Sequence, residues 1–195
     1  ISGSQDAVVV KMTKNLATLV WSTYYGGSSD ETGNGIALSG NGSLYVAGGT
    51  NSTNLNLGSG GWDASYNSGR DGYVARFNAL TGALMSGSFI GTADYDQTYF
   101  VQVDDDDDVY VLGQTAGNWT ISPGCYGNAN SGQFMMKFNP ALTTQTWVTT
   151  IGAGSGNIEI SPTAFLVSNC KDIYVSGWGG SVNSGNSQAV TSSSN

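Results

Sequence analysis

An internal repeat is the feature that most constrains the fold of this 195-residue chain. It is clearest in three pairs of apolar runs, each pair joined by a short connector: IAL-SGNGS-LYVAGGT, VQV-DDDDD-VYVLGQT and FLV-SNCKD-IYVSGWG. The second runs carry Tyr45, Tyr110 and Tyr174 at equivalent places, which recur at a nearly constant interval. A fixed period, here roughly 64 residues, indicates supersecondary units that stack on one another.

Each unit contains four short runs of β-branched and aromatic residues, because DGYVARFN from Asp71 and LMSGSFIG from Leu84 follow the pair that begins at Ile36. Four such runs separated by Gly, Asn, Ser and Asp predict one four-stranded antiparallel sheet per repeat. Sheets stacked radially form the blades of a β-propeller. We therefore predict an all-β fold of about twelve strands and about three blade-equivalents, an open or partial propeller. An immunoglobulin-like sandwich is the alternative fold, but it would not explain a repeat of this length.

With the strands of a blade called A to D, the sequence starts at strand C and stops after strand B. One propeller segment, 1–195, then divides into a half blade 1–33, blades 34–97 and 98–160, and a half blade 161–195. Three blade-equivalents are fewer than the four or so that close a ring. The expected partners are other blades of a parent protein or a second copy of the chain. The terminal segments ISGSQ and NSQAVTSSSN match the two ends of a B–C loop, and the missing initiator Met suggests a processed product or a piece of something longer.

The pattern GNGIAL-SGNGS-LYVAGGT, a long Asn/Ser/Gly loop, DGYVARFN and a closing WSTYYGG resembles the SBBP class of bacterial β-propeller repeats. The resemblance implies a secreted or cell-surface protein, often of Bacteroidetes-like bacteria with gliding or adhesive surface proteins. Cargo or an accessory of a secretion machine, such as type IX secretion, is compatible with it. The resemblance implies no catalytic residues and no cofactor.

Composition excludes several functions. Histidine is absent, which removes Ser-His-Asp chemistry and His-ligated metals. Six Lys and Arg residues against fourteen Asp and Glu residues, a net charge of −8, argue against nucleic acid as a partner. No apolar run approaches the length of a membrane span, so membrane insertion is not expected. The Asn/Ser/Thr/Gly-rich, Lys-poor composition favours an extracellular or cell-surface location.

Acidic residues form two candidate sites. The run Asp104 to Asp108 lies in an A–B turn, where carboxylates could hold Ca²⁺ but more often form a solvated, charged turn, so we expect no metal. A second set in the D–A loops could line the central channel and suggests glycoside hydrolysis, although Asp commonly shapes such turns. Its members are Asp30, Glu31, Asp94, Asp96 and Glu159.

Aromatic residues in or beside the B–C loops could bind a glycan or a protein partner, or could fold over the blade ends. They are Trp62, Tyr66, Trp119, Tyr126 and Trp178. Trp21 and Trp147 lie within D strands and are expected to pack. Lys11, Arg76 and Lys137 occupy equivalent C-strand positions and are expected to pair with neighbouring acids or to place their head groups at the rim.

Cys125 and Cys170 fall in loops at opposite ends of the blades, so we expect two free thiols, each buried. The leading functional hypothesis is a non-catalytic propeller segment that serves as a scaffold, adhesion or protein-interaction module. The alternative is a lectin-like glycan-binding propeller. The third is a carboxylate-dependent polysaccharide hydrolase or lyase.

Overall fold

The computed structural model describes residues 3–179 and confirms the all-β prediction. This range contains twelve strands and no helix, and therefore no helix that could span a membrane. Residues 1, 2 and 180–195, including NSQAVTSSSN and part of the predicted last half blade, lie outside the described residues. The strands are β1 (Ala7–Met12), β2 (Leu19–Tyr25), β3 (Glu31–Leu38), β4 (Ser43–Thr50), β5 (Asp71–Asn78), β6 (Leu84–Ile90), β7 (Asp96–Val103), β8 (Val109–Thr115), β9 (Gln133–Phe138), β10 (Gln145–Ile151), β11 (Ile160–Val167) and β12 (Ile173–Gly179).

The strands form four antiparallel sheets in chain order. Strands β3–β6 make the first blade and β7–β10 the second blade, each four-stranded. Strands β1 and β2 pair only with each other, as do β11 and β12, and we call these pairs the N-terminal and C-terminal half blades. By position in the repeat, β1–β2 are strands C and D, and β11–β12 are strands A and B. The fold is therefore a run of partial propeller blades.

Neighbouring sheets pack face to face, and this stacking explains why the strands are apolar on both sides. Tyr45, Val74 and Ile90 of the first blade pack against Val101 and Met136 of the second blade in one buried cluster. On the other face of the first blade, Tyr73, Phe77 and Phe89 pack against Val9 and Tyr25 of the N-terminal half blade. Tyr110 and Leu112 of the second blade cover Phe165 and Val167 of the C-terminal half blade.

A glycine in each B strand faces an irregularity of register in the neighbouring A strand. The register shifts fall between Gly33 and Gly35, between Thr98 and Phe100, and between Pro162 and Ala164. A Cβ atom added to Gly48 would lie 1.7 Å from the carbonyl oxygen of Thr32. The same atom would lie 2.5 Å from the carbonyl oxygen of Gln97 if added to Gly113, and 2.6 Å from that of Ser161 if added to Gly177. These distances forbid a side chain, so the glycines Gly48, Gly113 and Gly177 of the YVAG, YVLG and YVSG runs allow the bulged strand to approach.

The long B–C loops run along the outer edges of the D strands. In the first blade, Ser59 N donates to Met85 O at 2.9 Å and Phe89 N donates to Asp63 O at 3.0 Å. In the second blade, Ser122 N donates to Val148 O and Asn128 N donates to Thr150 O, both at 2.9 Å. The loops thus satisfy edge groups that would otherwise be open to pairing with other chains.

Candidate functional site

Three of the five candidate aromatic residues pack onto blades. The Trp62 ring lies edge-on to Phe138 of the second blade, with 5.9 Å between centroids, although Trp62 belongs to the loop of the first blade. Tyr66 packs against Phe89 and donates its hydroxyl to Gly69 O at 2.6 Å. Trp119 lies 5.8 Å from Phe134. These side chains join the loop to a blade.

The other two candidates are more exposed than Trp62, which is 37 % exposed, and they lie apart on opposite faces. Tyr126, in the β8–β9 loop, is 76 % exposed and lines a groove of about 460 Å³. Trp178 on β12 is 65 % exposed. Because strand side chains alternate, Trp178 lies on the face opposite to Ile173 and Val175, which line the groove. The structure therefore does not gather the five aromatic residues into one site.

The groove with Tyr126 at its margin lies between the second blade and the C-terminal half blade. Its walls come from β9, β10, β12 and the loop before β9. The lining is largely apolar and consists of Cys125, Tyr126, Met135, Trp147, Thr149, Ile151, Ile173 and Val175. Such a groove is suited to apolar side chains or to a flat ring.

The carboxylates that begin the A strands hold their own loops. Glu31 is fully buried and accepts hydrogen bonds from Gly27 N at 2.7 Å and from the Thr50 hydroxyl at 2.6 Å. Asp96 is fully buried and accepts from Thr92 N at 2.6 Å and from the Thr92 hydroxyl at 2.7 Å. Glu159 accepts from Ala153 N at 3.0 Å.

The expectation that this acidic set presents carboxylates to a channel is therefore wrong for Glu31 and Asp96, since loop closure requires them to point inward. Asp94 is exposed, and Asp30 is half-buried and accepts from the Ser4 hydroxyl. Within residues 3–179, no three or more Cys, Asp and Glu side chains are grouped to hold a metal ion.

Asp71 and Asp96 each have a buried Oδ1 atom with no hydrogen-bond partner. Burial raises the pKa of the Asp71 carboxyl to about 6, with a further contribution from the charge of Asp96 and an opposing one from Asn67 N, which donates to Oδ2 at 2.9 Å. Burial also raises the pKa of Asp96, against the lowering effect of the hydrogen bonds that Thr92 donates to Oδ2. Both carboxyls therefore keep their protons to a higher pH than ordinary aspartates do.

The acidic turn is only partly solvated. Asp105 and Asp106 are exposed, but Asp104 is buried and accepts hydrogen bonds from the Tyr110 hydroxyl at 2.9 Å and from the backbone N–H groups of Asp106 and Asp108 at 3.0 Å. Burial alone would raise the pKa of Asp104, yet these hydrogen bonds and Lys137 hold it below its usual range. The expectation of a wholly solvated turn is wrong at Asp104, because the repeat brings basic residues of other strands to it.

Two lysines from different sheets form ion pairs with carboxylates of this turn. Lys137 Nζ lies 2.8 Å from Asp108 Oδ2 and 3.6 Å from Asp104 Oδ2. Lys171, from the β11–β12 turn, pairs with Asp106 and lies 3.6 Å from Asp104 Oδ2. The turn therefore joins the second blade to the C-terminal half blade through ion pairs.

Comparison with known protein families finds a match in the first part of the chain. The family model described as SBBP, beta-propeller repeat, matches residues 20–56, which cover most of β2, all of β3 and β4, and the start of the B–C loop. Over these residues the chain is similar to the SBBP β-propeller repeat. This family suggests a non-catalytic repeat module. No curated protein matches the chain.

The cations at equivalent positions of the three copies bind different kinds of partner, on a neighbouring strand or on the next sheet. Lys11 Nζ donates to Ala79 O at 2.8 Å, and Arg76 Nε donates to the Ser43 hydroxyl at 2.9 Å. Among residues 3–179, Lys137 is the one of the three that pairs with acids, and it also lies over the Tyr110 ring, 4.9 Å from the centroid. The D-strand tryptophans pack as predicted: Trp21 Nε1 donates to Ala79 O at 3.3 Å, and Trp147 lies 5.9 Å from Tyr110.

Both cysteines are free, as predicted. Cys170 is exposed and Cys125 is half-buried, so the expectation of two buried thiols is wrong. The connector between strands β11 and β12 turns outside the sheet, which leaves Cys170 in solvent.

Arg70 links the two blades, and the sequence repeat does not predict this role. Its guanidinium donates to Asn51 Oδ1 at 2.7 Å, Thr32 Oγ1 at 2.9 Å and Gln97 Oε1 at 3.0 Å. These partners belong to both blades. No arginine occupies the corresponding place in the other copies, so no signal in the sequence could mark it.

Proposed function

We propose that this chain is a non-catalytic β-propeller segment of a larger secreted or cell-surface protein, and that it acts as a scaffold or interaction module. Its working surfaces are the blade faces at the two ends of the stack. The family match supports the repeat module, and the Asn/Ser/Thr/Gly-rich composition supports the extracellular location.

The observation that carries the proposal is the exposure of side chains whose repeat equivalents are buried. Ile36 of the first blade is 57 % exposed, whereas Val101, at the same position of the second blade, is 2 % exposed. Tyr174 of β12 is 57 % exposed, whereas Tyr45 of β4 is 0 % exposed. Large apolar patches of this kind are typical of interaction surfaces.

A dye that fluoresces when it binds apolar surface tests these end faces. At high dilution we expect the protein to bind 8-anilinonaphthalene-1-sulfonate, and we expect Ile36→Ser and Tyr174→Ser each to lower the fluorescence. Leu80→Ser is the matched control, because Leu80 is an exposed side chain of the β5–β6 turn outside both end faces. Equal losses in all three variants, or no dye binding, would contradict the proposal.

A screen of polysaccharides and glycosides tests the non-catalytic part. We expect no turnover. Turnover that disappears in Asp71→Asn and Asp96→Asn, with native far-UV circular dichroism retained, would instead establish the carboxylate-dependent enzyme.

Glycan binding is the second candidate, favoured by the exposure of Tyr126 and Trp178 on the surface. Glycans that bind the protein on an array would then give a heat of binding in isothermal titration, and this heat would be lost in Tyr126→Ala or Trp178→Ala. Leu80→Ala should leave that heat unchanged. An empty array would exclude this candidate for the glycans present.

A further inference from the structure

We propose that the groove between the second blade and the C-terminal half blade receives strands β1 and β2 of a second copy of this chain. The C-terminal half blade and the partner's N-terminal half blade then form one four-stranded sheet. This inference rests on the interaction role proposed for the end faces, and it names the partner that covers them when the 195-residue chain is taken by itself.

The first argument is the free edge of each half blade. In the complete blades every B strand pairs with a C strand, as β4 pairs with β5 and β8 with β9. Among the described residues, β12 pairs only with β11, and β1 pairs only with β2. Within residues 3–179, β12 is thus a B strand without a C strand, and β1 is a C strand without a B strand. Each supplies the edge that the other lacks.

The second argument is the outer face of the N-terminal half blade. Val8, Val10 and Met12 of β1 are exposed. The residues at the same repeat positions on β5, Tyr73, Ala75 and Phe77, are buried against the preceding sheet, as are Phe134, Met136 and Phe138 on β9. Strand β1 therefore carries an apolar face that is built to cover a preceding sheet.

The groove is the surface that this face fits. Met135, Trp147 and Ile151 line it from strands C and D of the second blade. The corresponding residues of the first blade include Val74 and Ile90, which are fully buried against the next blade. In the groove the covering strands are missing, and an incoming C–D strand pair would bury these side chains.

The same junction covers the remaining exposed faces. The partner's first blade would follow its β1–β2 and place the partner's Ile36 and the partner's Leu38 against Tyr174 and Leu166. Within one chain the equivalent contacts are already made, since Tyr45 shares a buried cluster with Val101, and Tyr110 shares one with Phe165. One mode of pairing therefore buries both exposed ends.

The repeat fixes the register of the junction. Tyr45 pairs with Arg76 and Tyr110 with Lys137, so Tyr174 pairs with the partner's Lys11. Val175 then pairs with the partner's Val10, and Gly177 with the partner's Val8. The partner's Lys11 would lie near the Tyr174 ring, as Lys137 lies over the Tyr110 ring.

A second copy fits better than the chain itself. Closure of one chain on its own β1–β2 would make a ring of three blades, fewer than the four or so that propellers need. Two copies related by a twofold axis form both junctions and give six blades, within the usual range.

The mass in solution is the first test. Sedimentation of the wild-type chain should give twice the 20.1-kDa monomer mass, and Val10→Glu should give the monomer mass. Leu80→Glu, which adds the same charge at the β5–β6 turn, should remain a dimer. A wild-type monomer, an open series of larger oligomers, or a Val10→Glu variant that stays dimeric would overturn the proposal.

Disulfide trapping tests the register. In a Cys125→Ser/Cys170→Ser background that sediments like the wild type, Val10→Cys combined with Val175→Cys should give a covalent dimer on oxidation, because paired strand residues lie within the separation of about 4.4 to 6.8 Å that a disulfide needs. Met12→Cys combined with Val175→Cys is two residues out of register and should cross-link far less. Equal cross-linking of the two pairs would overturn the register.

The tests separate this inference from the proposed function. A monomer whose end faces still bind the dye overturns the second copy as occupant and leaves the scaffold role standing. A monomer whose end faces bind no dye overturns both.

Discussion

Asp71 shows how a single buried carboxylate sets a pH dependence. Its pKa is raised to about 6 by burial, above the value near 3.9 of an unfolded chain. The folded protein thus binds the proton more tightly, so the contribution of Asp71 to stability is greatest below about pH 4 and is lost as the pH rises to about 6.

We therefore expect Asp71→Asn to flatten the pH dependence of the unfolding free energy between pH 4 and 6.5. The wild type should lose about 1–3 kcal/mol over this interval, since one pKa unit corresponds to about 1.4 kcal/mol. Asp94→Asn, at an exposed position of the next loop, should keep the wild-type slope. Urea unfolding at a series of pH values measures both, and an unchanged slope in Asp71→Asn would contradict the assignment.

Asp104 has the opposite sign, because its pKa is held below the usual range and its carboxylate is used by the fold. At pH 7 we expect Asp104→Asn to cost about 2–3 kcal/mol, since Tyr110, Lys137 and two backbone N–H groups lose a charged acceptor. Asp105→Asn should change stability by less than about 0.5 kcal/mol. Chemical denaturation measures the difference, and equal effects would mean that the turn is solvated throughout.

Calcium gives an independent check on the same turn. The charges of Asp104, Asp106 and Asp108 are already paired with Lys137 and Lys171. We therefore expect millimolar Ca²⁺ to leave the melting temperature almost unchanged, since a ligand stabilises only through binding to the folded state. A chelator-sensitive rise that Asp106→Asn abolishes would contradict this.

At the scale of strands, the position of a residue in the stack decides its contribution more than its type. Val101 and Ile36 occupy the same site of the repeat, but only Val101 has a blade in front of it. In the Val10→Glu background, which removes association, we expect Val101→Thr to cost about 1–3 kcal/mol, because it buries a hydroxyl. Ile36→Thr should cost less than about 0.5 kcal/mol. Urea midpoints measure both, and a large loss from Ile36→Thr would show that its face is covered.

The strands could be predicted from the sequence because their signals are local and repeated. Runs such as LYVA and VYVL mark strands buried on both faces, and the period sets their grouping into sheets. The B–C loops carry no period, so their pairing with the D-strand edges was not predictable. The positions of the loop aromatic side chains were not predictable either, because the packing of Trp62 depends on Phe138 of the next blade.

The candidate site was less predictable than the fold because its contacts cross between repeats. Asp104 resembles its exposed neighbours in sequence, and its burial depends on Lys137 and on Lys171, which belongs to the next copy of the repeat. Arg70 links two blades through polar partners that no spacing rule connects. Local propensity contains no information on such pairs.

For the whole molecule, the central claim is that the sheet breaks fall between β2 and β3, β6 and β7, and β10 and β11. Cross-strand nuclear Overhauser effects between Hα protons test it directly, because only adjacent antiparallel strands bring these protons together. We expect them within each blade, for example between β4 and β5 and between β8 and β9, and none between β6 and β7 or between β2 and β3. Effects that join β6 to β7 would place adjacent repeats in one sheet and contradict the propeller.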